Sequence, residues 1–215
     1  MKLIGTDRAG LASYVQAQLA SFFPDGADHR TALERYLDEA LARTGRCVDA
    51  VRMWRPGEFD YLHSSQYATF LYYLSNSIWR DGGDLRACTK LFCLNKALNA
   101  MDLFYEVIMP EVFLIGHSVG IVLAKATYGN YLVLYQNSTV GKNHGAAPVI
   151  GDGVVMYPNT AIIGRSHVGN GSVIAQGVSV INRDTPGDCL VYAGNAGDLV
   201  CKPVREPAAE EYFRL

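Results

Sequence analysis

The sequence predicts an α+β protein, with a helical N-terminal domain followed by a coil of short parallel strands. Three observations support this prediction. The first 100 residues place apolar side chains at helical spacing and contain few glycines. From about residue 113 the chain becomes rich in glycine, valine and isoleucine. Large aliphatic side chains then recur every six residues, a period that neither an amphipathic helix nor an alternating strand produces.

Four helices are predicted in the first half, because apolar residues lie three and four positions apart in each segment. They cover residues 7–23, 30–44, 63–79 and 84–102. We expect Gly45 to end the second helix. The third is so rich in apolar and aromatic side chains that it must be buried against another element or another subunit.

The period of six predicts a coil with three flat faces and about eighteen residues per turn. The large aliphatic side chains point inwards, and small or β-branched residues pack beside each corner. The inward set is Ile150, Met156, Ile162, Val168, Ile174 and Val180, preceded in the same phase by Val122, Tyr128, Leu134 and Val140. Four extra residues separate Val140 from Ile150, so we expect a loop to project from the coil there.

Charge and cysteine usage exclude several classes of protein. The formal net charge of -2 lacks the basic excess of a nucleic-acid binder. Five scattered cysteines without a CxxC motif indicate reduced thiols, and they lack histidines at metal-ligand spacing, so no metal is predicted. Neither a signal peptide nor a membrane-spanning run of about 20 apolar residues is found, so a cytoplasmic location is expected.

Residues 60–202 resemble the serine acetyltransferases, a branch of the hexapeptide-repeat acyltransferases. The most specific segment is "DLFYEVIMPEVFLIGHSVGIVL", in which Asp102 stands fifteen residues before His117. The segments "QNSTVG" and "VYAGNAGDLVCKP" resemble the coil before the family's extended loop and the turn that closes its last coil. The resemblance implies a left-handed β-helix. We divide the chain into a helical domain (1–110), the β-helix (111–202) and a C-terminal tail (203–215).

The resemblance also implies acetyl transfer from acetyl-CoA to a hydroxyl or amine, with His117 as general base and Asp102 orienting it. Neutral imidazole suits the removal of the acceptor's proton, and a carboxylate on the other ring nitrogen fixes the tautomer. In the family the thioester lies in a groove between coils of neighbouring subunits, which implies a homotrimer or a dimer of trimers. The residues that match its coenzyme A contacts are Gly141, Pro158, Gln176 and Lys202.

The acceptor positions depart from the family's pattern. Gly116 stands where serine acetyltransferases have an aspartate, and Ala146 and Ala147 replace an arginine-histidine pair in the extended loop. His144 is expected to substitute in part for the loop histidine. These replacements leave two other possibilities open: an acetyltransferase for a sugar or nucleotide sugar, with His63 in the acceptor pocket, and a non-catalytic trimeric scaffold. The closing turn also departs, with Ala196, Gly197 and Asp198 in place of proline, alanine and a basic residue.

Overall fold

The computed structural model describes every residue of the chain except Ala196. Its first half is helical and its second half is a stack of short strands, which confirms the predicted fold class. The four helices are α1 (Arg8–Phe22), α2 (Arg30–Ala50), α3 (Ser64–Arg80) and α4 (Leu85–Asn99). A short parallel pair lies among them, formed by β1 (Lys2–Ile4) and β2 (Glu58–Asp60).

Helix α3 forms the centre of the helical domain. All of its residues from Ser65 to Ile78 are buried, and it packs against both α2 and α4. Its aromatic side chains therefore contribute to the core of the chain itself, as the sequence predicted. Tyr72 and Tyr73 pack around Phe113, the first residue of the first long strand of the coil, with ring centroids 6.2 and 5.8 Å away. The two halves thus share one hydrophobic core.

Two helices end three or more residues away from the predicted position. The prediction that Gly45 ends α2 was wrong, because the helix continues to Ala50 with Cys47 and Val48 on its buried face. Burial of these side chains outweighs the helix-breaking tendency of one glycine, which is about 1 kcal/mol. Helix α4 ends at Asn99, because Ala100 adopts a left-handed conformation with φ 49°.

The strands of the second half form three parallel sheets that run along the coil. The bounds are β3 (Asp102–Leu103), β4 (Phe113–Ile115), β5 (Val122–Leu123), β6 (Thr127–Tyr128), β7 (Leu132–Leu134), β8 (Thr139–Gly141), β9 (Val149–Ile150), β10 (Val155–Met156), β11 (Ala161–Ile163), β12 (His167–Val168), β13 (Val173–Ile174), β14 (Ser179–Ile181), β15 (Cys189–Ala193) and β16 (Leu199–Pro203). The sheet orders are β4-β7-β10-β13-β15-β16, β3-β5-β8-β11-β14 and β6-β9-β12. Among the strands that the structure describes, only β16 runs antiparallel, in a hairpin with β15.

The strand register confirms the predicted repeat and the predicted loop. Val155 pairs with Val173, eighteen residues later, as one turn of the coil requires. Val155 also pairs with Val133, twenty-two residues earlier, because that turn contains the loop after β8. The difference is the four-residue insertion expected between Val140 and Ile150.

The inward set is buried as predicted, except at its start. From Tyr128 to Val180 every member is at most 8% exposed. Val122 is 43% exposed, so its predicted inward orientation was wrong. Leu123 is buried in its place, because it is the residue in register with the inward Val140. The repeat is therefore out of phase in the first turn.

The segment after β16 returns from the coil to the helical domain. Ala208–Glu211 form one 3-10 turn, and Phe213 then pairs with Val51 just beyond α2. The Arg214 guanidinium donates hydrogen bonds to four backbone carbonyls at the end of α2 and in the loop that follows. We call residues 208–214 the strap. It ties the last turns of the coil to the first half of the chain.

Two glycines give opposite predictions for stability. A Cβ at Gly129 would lie 2.3 Å from the backbone of Gly151 in the adjacent turn, whereas a Cβ at Gly45, inside α2, would make only an ordinary contact with Met1 at 3.5 Å. We expect Gly129→Ala to destabilise by about 1–3 kcal/mol through overpacking. Gly45→Ala should stabilise by about 0.5–1 kcal/mol through helix propensity. Urea unfolding measures both, and a Gly129→Ala protein as stable as the parent would contradict the stacking of these turns.

None of the described helices combines the length and the apolar content needed to cross a membrane.

The division of the chain at residue 110 stays a prediction. The first short strand of the coil, β3, lies before that point and pairs with β5.

Candidate active site

His117 lies at a corner of the coil that is wider than the corner in the next turn. Ile115 pairs with Leu134, and Val122 pairs with Thr139. Val122 follows Ile115 by seven positions, whereas Thr139 follows Leu134 by five. The corner around His117 therefore has two extra residues, and these must bulge out of the coil.

The backbone around His117 is fixed on three sides while its ring stays exposed. Gly116 donates from its N–H to Leu134 O in the next turn, at 2.8 Å. The Ser65 hydroxyl, in the first turn of α3, donates to Gly116 O at 3.3 Å. Gly120 donates to Ala100 O at 2.9 Å. A rigidly supported and accessible imidazole is what a general base requires.

Two of the predicted coenzyme A residues lie on the edge of the coil that starts at the His117 corner. Met156 pairs with both Leu134 and Ile174, so Pro158 and Gln176 occupy the same corner position in adjacent turns. Gly177 N donates to Pro158 O at 3.0 Å, which holds these two turns together. Neighbouring turns are about 4.8 Å apart. The edge therefore forms a straight border along which an extended ligand could lie.

The other two predicted coenzyme A residues lie on different sheets. Gly141 ends β8, where an added Cβ would lie 3.6 Å from the Ile163 side chain of the next turn. Lys202 is an exposed residue of β16 and pairs with Leu190. Within one chain these two residues do not share the edge of Pro158 and Gln176.

Asp102 lies close to the His117 corner but is bonded to another side chain. It is in β3, and its N–H donates to Ile121 O at 2.8 Å. Its carboxylate accepts a hydrogen bond from Lys96 Nζ at 2.6 Å, and this bond raises the pKa of Lys96. Among the described residues no hydrogen bond joins Asp102 to His117. The pairing of Asp102 with His117 therefore stays a prediction.

An aromatic surface borders His117. The Tyr135 ring lies 6.2 Å from the imidazole, centroid to centroid, and stacks on Tyr157 in the next turn at 5.6 Å. Tyr212 of the strap approaches edge-on, and its hydroxyl lies 3.4 Å from the hydroxyls of both other tyrosines. Burial raises the pKa of Tyr212, and its hydrogen bonds to these tyrosines add to the effect. We call Tyr135, Tyr157 and Tyr212 the tyrosine wall, a neutral and mostly apolar surface.

The strap's contribution to this surface was not predicted from the sequence, where residues 203–215 form only a C-terminal tail. The available signal was the aromatic pair Tyr212-Phe213 in a segment otherwise dominated by charged residues, proline and alanine. An aromatic pair in a polar segment indicates that the segment docks on another surface.

The two candidate acceptor histidines differ in their surroundings. His63 precedes α3, meets the Trp54 ring edge-on at 5.6 Å, and borders a cleft of about 370 Å³ with Trp54, Asp60 and Gln66. Ser65, two residues later, contacts the His117 corner, so His63 lies near that corner. His144 is exposed at the tip of the loop after β8 and has a left-handed backbone with φ 48°. Its position on a projecting loop directs it away from its own coil.

Gln136 also lies at this edge, between Tyr135 and the turn after it. Its Oε1 is buried and has no hydrogen-bond partner among the described residues.

In the part of the chain that the structure describes, no group of three His, Cys, Asp or Glu residues could hold a metal ion.

Comparisons with known proteins point to one group of enzymes. No family model matches the chain. Serine acetyltransferase 4 of Arabidopsis thaliana is 27% identical over 145 residues, which are 65% of this chain and 40% of the plant protein. The match therefore spans less than half of that curated relative.

Solved serine acetyltransferases share the fold. The enzyme of Neisseria gonorrhoeae superposes with a TM-score of 0.73 at 19% identity, covering 96% of this chain and 84% of that one. The enzyme of Brucella abortus, solved in complex with coenzyme A, superposes with a TM-score of 0.67 at 16% identity, covering 93% and 84%. The chain has the serine acetyltransferase fold, and at the level of the fold its predicted resemblance is confirmed.

Proposed function

We propose that the chain is an acetyl-CoA-dependent acetyltransferase of the serine acetyltransferase type. The observation that carries the proposal is the exposed His117 on a rigid, widened corner, at the start of the edge that contains Pro158 and Gln176. A relative of the same fold was solved with coenzyme A, which supports this donor. The plant relative is by name a serine acetyltransferase, which supports the acyl transfer.

His117 would act as the general base of a direct transfer. The acceptor's oxygen or nitrogen attacks the thioester carbonyl carbon, and the new C–O or C–N bond forms as His117 takes the acceptor's proton. The C–S bond then breaks, and the imidazolium returns the proton to the leaving thiolate. Backbone N–H groups at the edge of the coil would stabilise the oxyanion. Proximity supplies much of the rate when the coil holds both substrates.

Asp102 is the proposed positioning residue for His117. Its strand lies beside β5, which follows the His117 corner directly. The hydrogen bond from Lys96 anchors the carboxylate there. A carboxylate held near the imidazole stabilises the imidazolium that forms during transfer.

A small acceptor such as serine is the first candidate, and a sugar or nucleotide sugar is the second. The site has few charged side chains to bind the ammonium and carboxylate of an amino acid, because Gly116, Ala146 and Ala147 are uncharged. The tyrosine wall favours the second candidate, because tyrosines offer apolar faces together with hydroxyls. Tyr135 of this wall and His117 are close enough for one acceptor to contact both.

We also propose that the chain acts as a homotrimer or a dimer of trimers in the cytoplasm. Several aliphatic side chains are exposed on the outside of the coil, among them Val119, Val149 and Ile181, each more than 40% exposed. Such residues suit contacts between parallel coils. A neighbouring coil would bring other copies of Gly141, Lys202 and His144 towards the His117 edge. The five cysteines are all free, as in a reducing compartment.

The proposal is tested by release of free coenzyme A from acetyl-CoA, with L-serine and a panel of sugars and nucleotide amino sugars as acceptors. We expect turnover with one class of acceptor and a rise in melting temperature with coenzyme A. Turnover with serine alone would reject the sugar candidate, and the reverse result would reject serine. A protein that neither turns over nor responds to coenzyme A would be the non-catalytic scaffold.

A further inference from the structure

We propose that Gln136 is a further catalytic residue, whose side-chain amide donates a hydrogen bond to the oxyanion formed from the thioester carbonyl. This inference rests on the proposed function and deepens it, because it adds one named side chain to the backbone N–H groups that stabilise this charge. Gln136 lies at the edge of the coil one turn beyond His117, and its amide makes no hydrogen bond to any described residue.

The strand register places Gln136 between the base and the border for coenzyme A. Gln136 occupies the corner position that Pro158 occupies one turn later and Gln176 two turns later. His117 lies at the corner one turn earlier, and its ring is 6.2 Å from that of Tyr135, the residue before Gln136. Neighbouring turns are about 4.8 Å apart. A thioester that extends from His117 along the border therefore passes Gln136 first.

Gln136 is the second residue of a tight turn. Ser138 N donates to Tyr135 O at 3.2 Å, and Asn137 between them is left-handed with φ 59°, which is the geometry of a type II turn. The N–H of the second residue is not used in such a turn, so proline is common there, as at Pro158. The Gln136 N–H likewise donates to no described residue. It is a second donor at the same corner.

The amide of Gln136 has its acceptor inside and its donor accessible. The residue is half-buried, and its Oε1 is buried without a partner among the described residues. Its Nε2 is not buried, and no described residue accepts a hydrogen bond from it. A buried acceptor without a donor is costly, and Pro158 shows that the corner position does not need an amide for stacking. The accessible N–H is therefore the functional part of this side chain.

The thioester carbonyl is the group that requires such a donor. As the acceptor attacks the carbonyl carbon and His117 takes its proton, the electrons of the C=O π bond move to the oxygen. The oxyanion accepts a hydrogen bond from Gln136 Nε2, which keeps its own proton throughout. When the intermediate collapses, the C=O bond re-forms, the C–S bond breaks, and the imidazolium protonates the thiolate. Atoms and charges balance without any other reactant.

The test is the Gln136→Met variant, which keeps the length of the side chain and removes its N–H groups. We expect kcat for coenzyme A release to fall about 100- to 1,000-fold, as when other oxyanion donors are removed. The KM for acetyl-CoA, the rise in melting temperature with coenzyme A and the shape of the kcat-pH profile should stay as in the parent. Gln136→Glu keeps the shape but puts a negative charge beside the oxyanion, so its loss should be at least as large.

The matched control is Gln18→Met, which makes the same change on α1. Gln18 is half-buried, but its Oε1 accepts a hydrogen bond from the Tyr67 hydroxyl. The control should keep the parent's kcat and lose stability, because it leaves that hydroxyl unpaired. Gln136→Met should keep the parent's stability or exceed it, because it removes an unpaired buried oxygen.

Each contrary result has a distinct meaning. A Gln136→Met protein with the parent's kcat would overturn the role of Gln136 and leave that of His117 intact. Loss of stability together with coenzyme A binding would show that Gln136 is structural, and a displaced pH profile would show that it acts through His117. Both results would reject the oxyanion role. A parent protein that neither releases coenzyme A with any acceptor nor responds to it would overturn the proposed function together with this inference.

Discussion

Replacing His117 by alanine is expected to lower acetyl transfer about 100- to 10,000-fold, the usual contribution of a general base. The backbone of its corner is held by bonds to Leu134, Ser65 and Ala100 that do not involve the imidazole. The fold and the border at Pro158 and Gln176 should therefore survive the change. Coenzyme A release measures the rate, and the shift in melting temperature with coenzyme A measures donor binding.

The matched control is His167→Ala. This histidine is exposed on β12, in the three-stranded sheet, away from the His117 edge. We expect it to keep the parent rate. A His117→Ala protein that turns over as fast as this control would show that another group removes the proton. Loss of coenzyme A binding in His117→Ala would instead show a role in holding the donor.

Replacing Phe213 by alanine is expected to lower the free energy of unfolding by about 3–5 kcal/mol, as for other buried phenylalanines. Phe213 is fully buried, pairs with Val51, and meets the Tyr131 ring edge-on at 5.4 Å. Its removal would leave a void between the coil and the end of α2. Urea unfolding gives the change.

Leu215→Ala controls for this effect, because Leu215 lies two residues further on and is 64% exposed. It should change stability by no more than about 0.5 kcal/mol. Equal stabilities of the two variants would mean that the strap does not dock in solution. Because Tyr212 adjoins Phe213, we also expect Phe213→Ala to raise the KM for the acceptor more than that for acetyl-CoA.

The coil could be predicted from the sequence because its core is periodic. Each inward position from Tyr128 to Val180 meets the same surroundings one turn above and below, so the pattern repeats in the residues. The inward orientation of Val122 was wrongly predicted. The first turn of the coil packs on α4 and contains the widened corner, and neither feature repeats in the later turns. The end of α2 was misjudged at Gly45 for a related reason: tertiary burial decided it.

The candidate site was only partly predictable. His117, Pro158 and Gln176 followed from the resemblance, and the register places them along one edge. The bond from Lys96 to Asp102 and the approach of Tyr212 depend on contacts between distant segments. Neither has a periodic or local signal, so spacing in the sequence could not reveal them.

The strap also bears on how long the native state persists. Arg214 and Arg52 make bonds between residues 158 to 165 positions apart in the chain. Closing so long a loop is entropically unfavourable, so these contacts should form after the folding transition state. Interactions absent from the transition state slow unfolding and leave the folding rate nearly unchanged. The strap would then slow unfolding, so that it sets the lifetime of the folded protein more than the rate at which the protein folds.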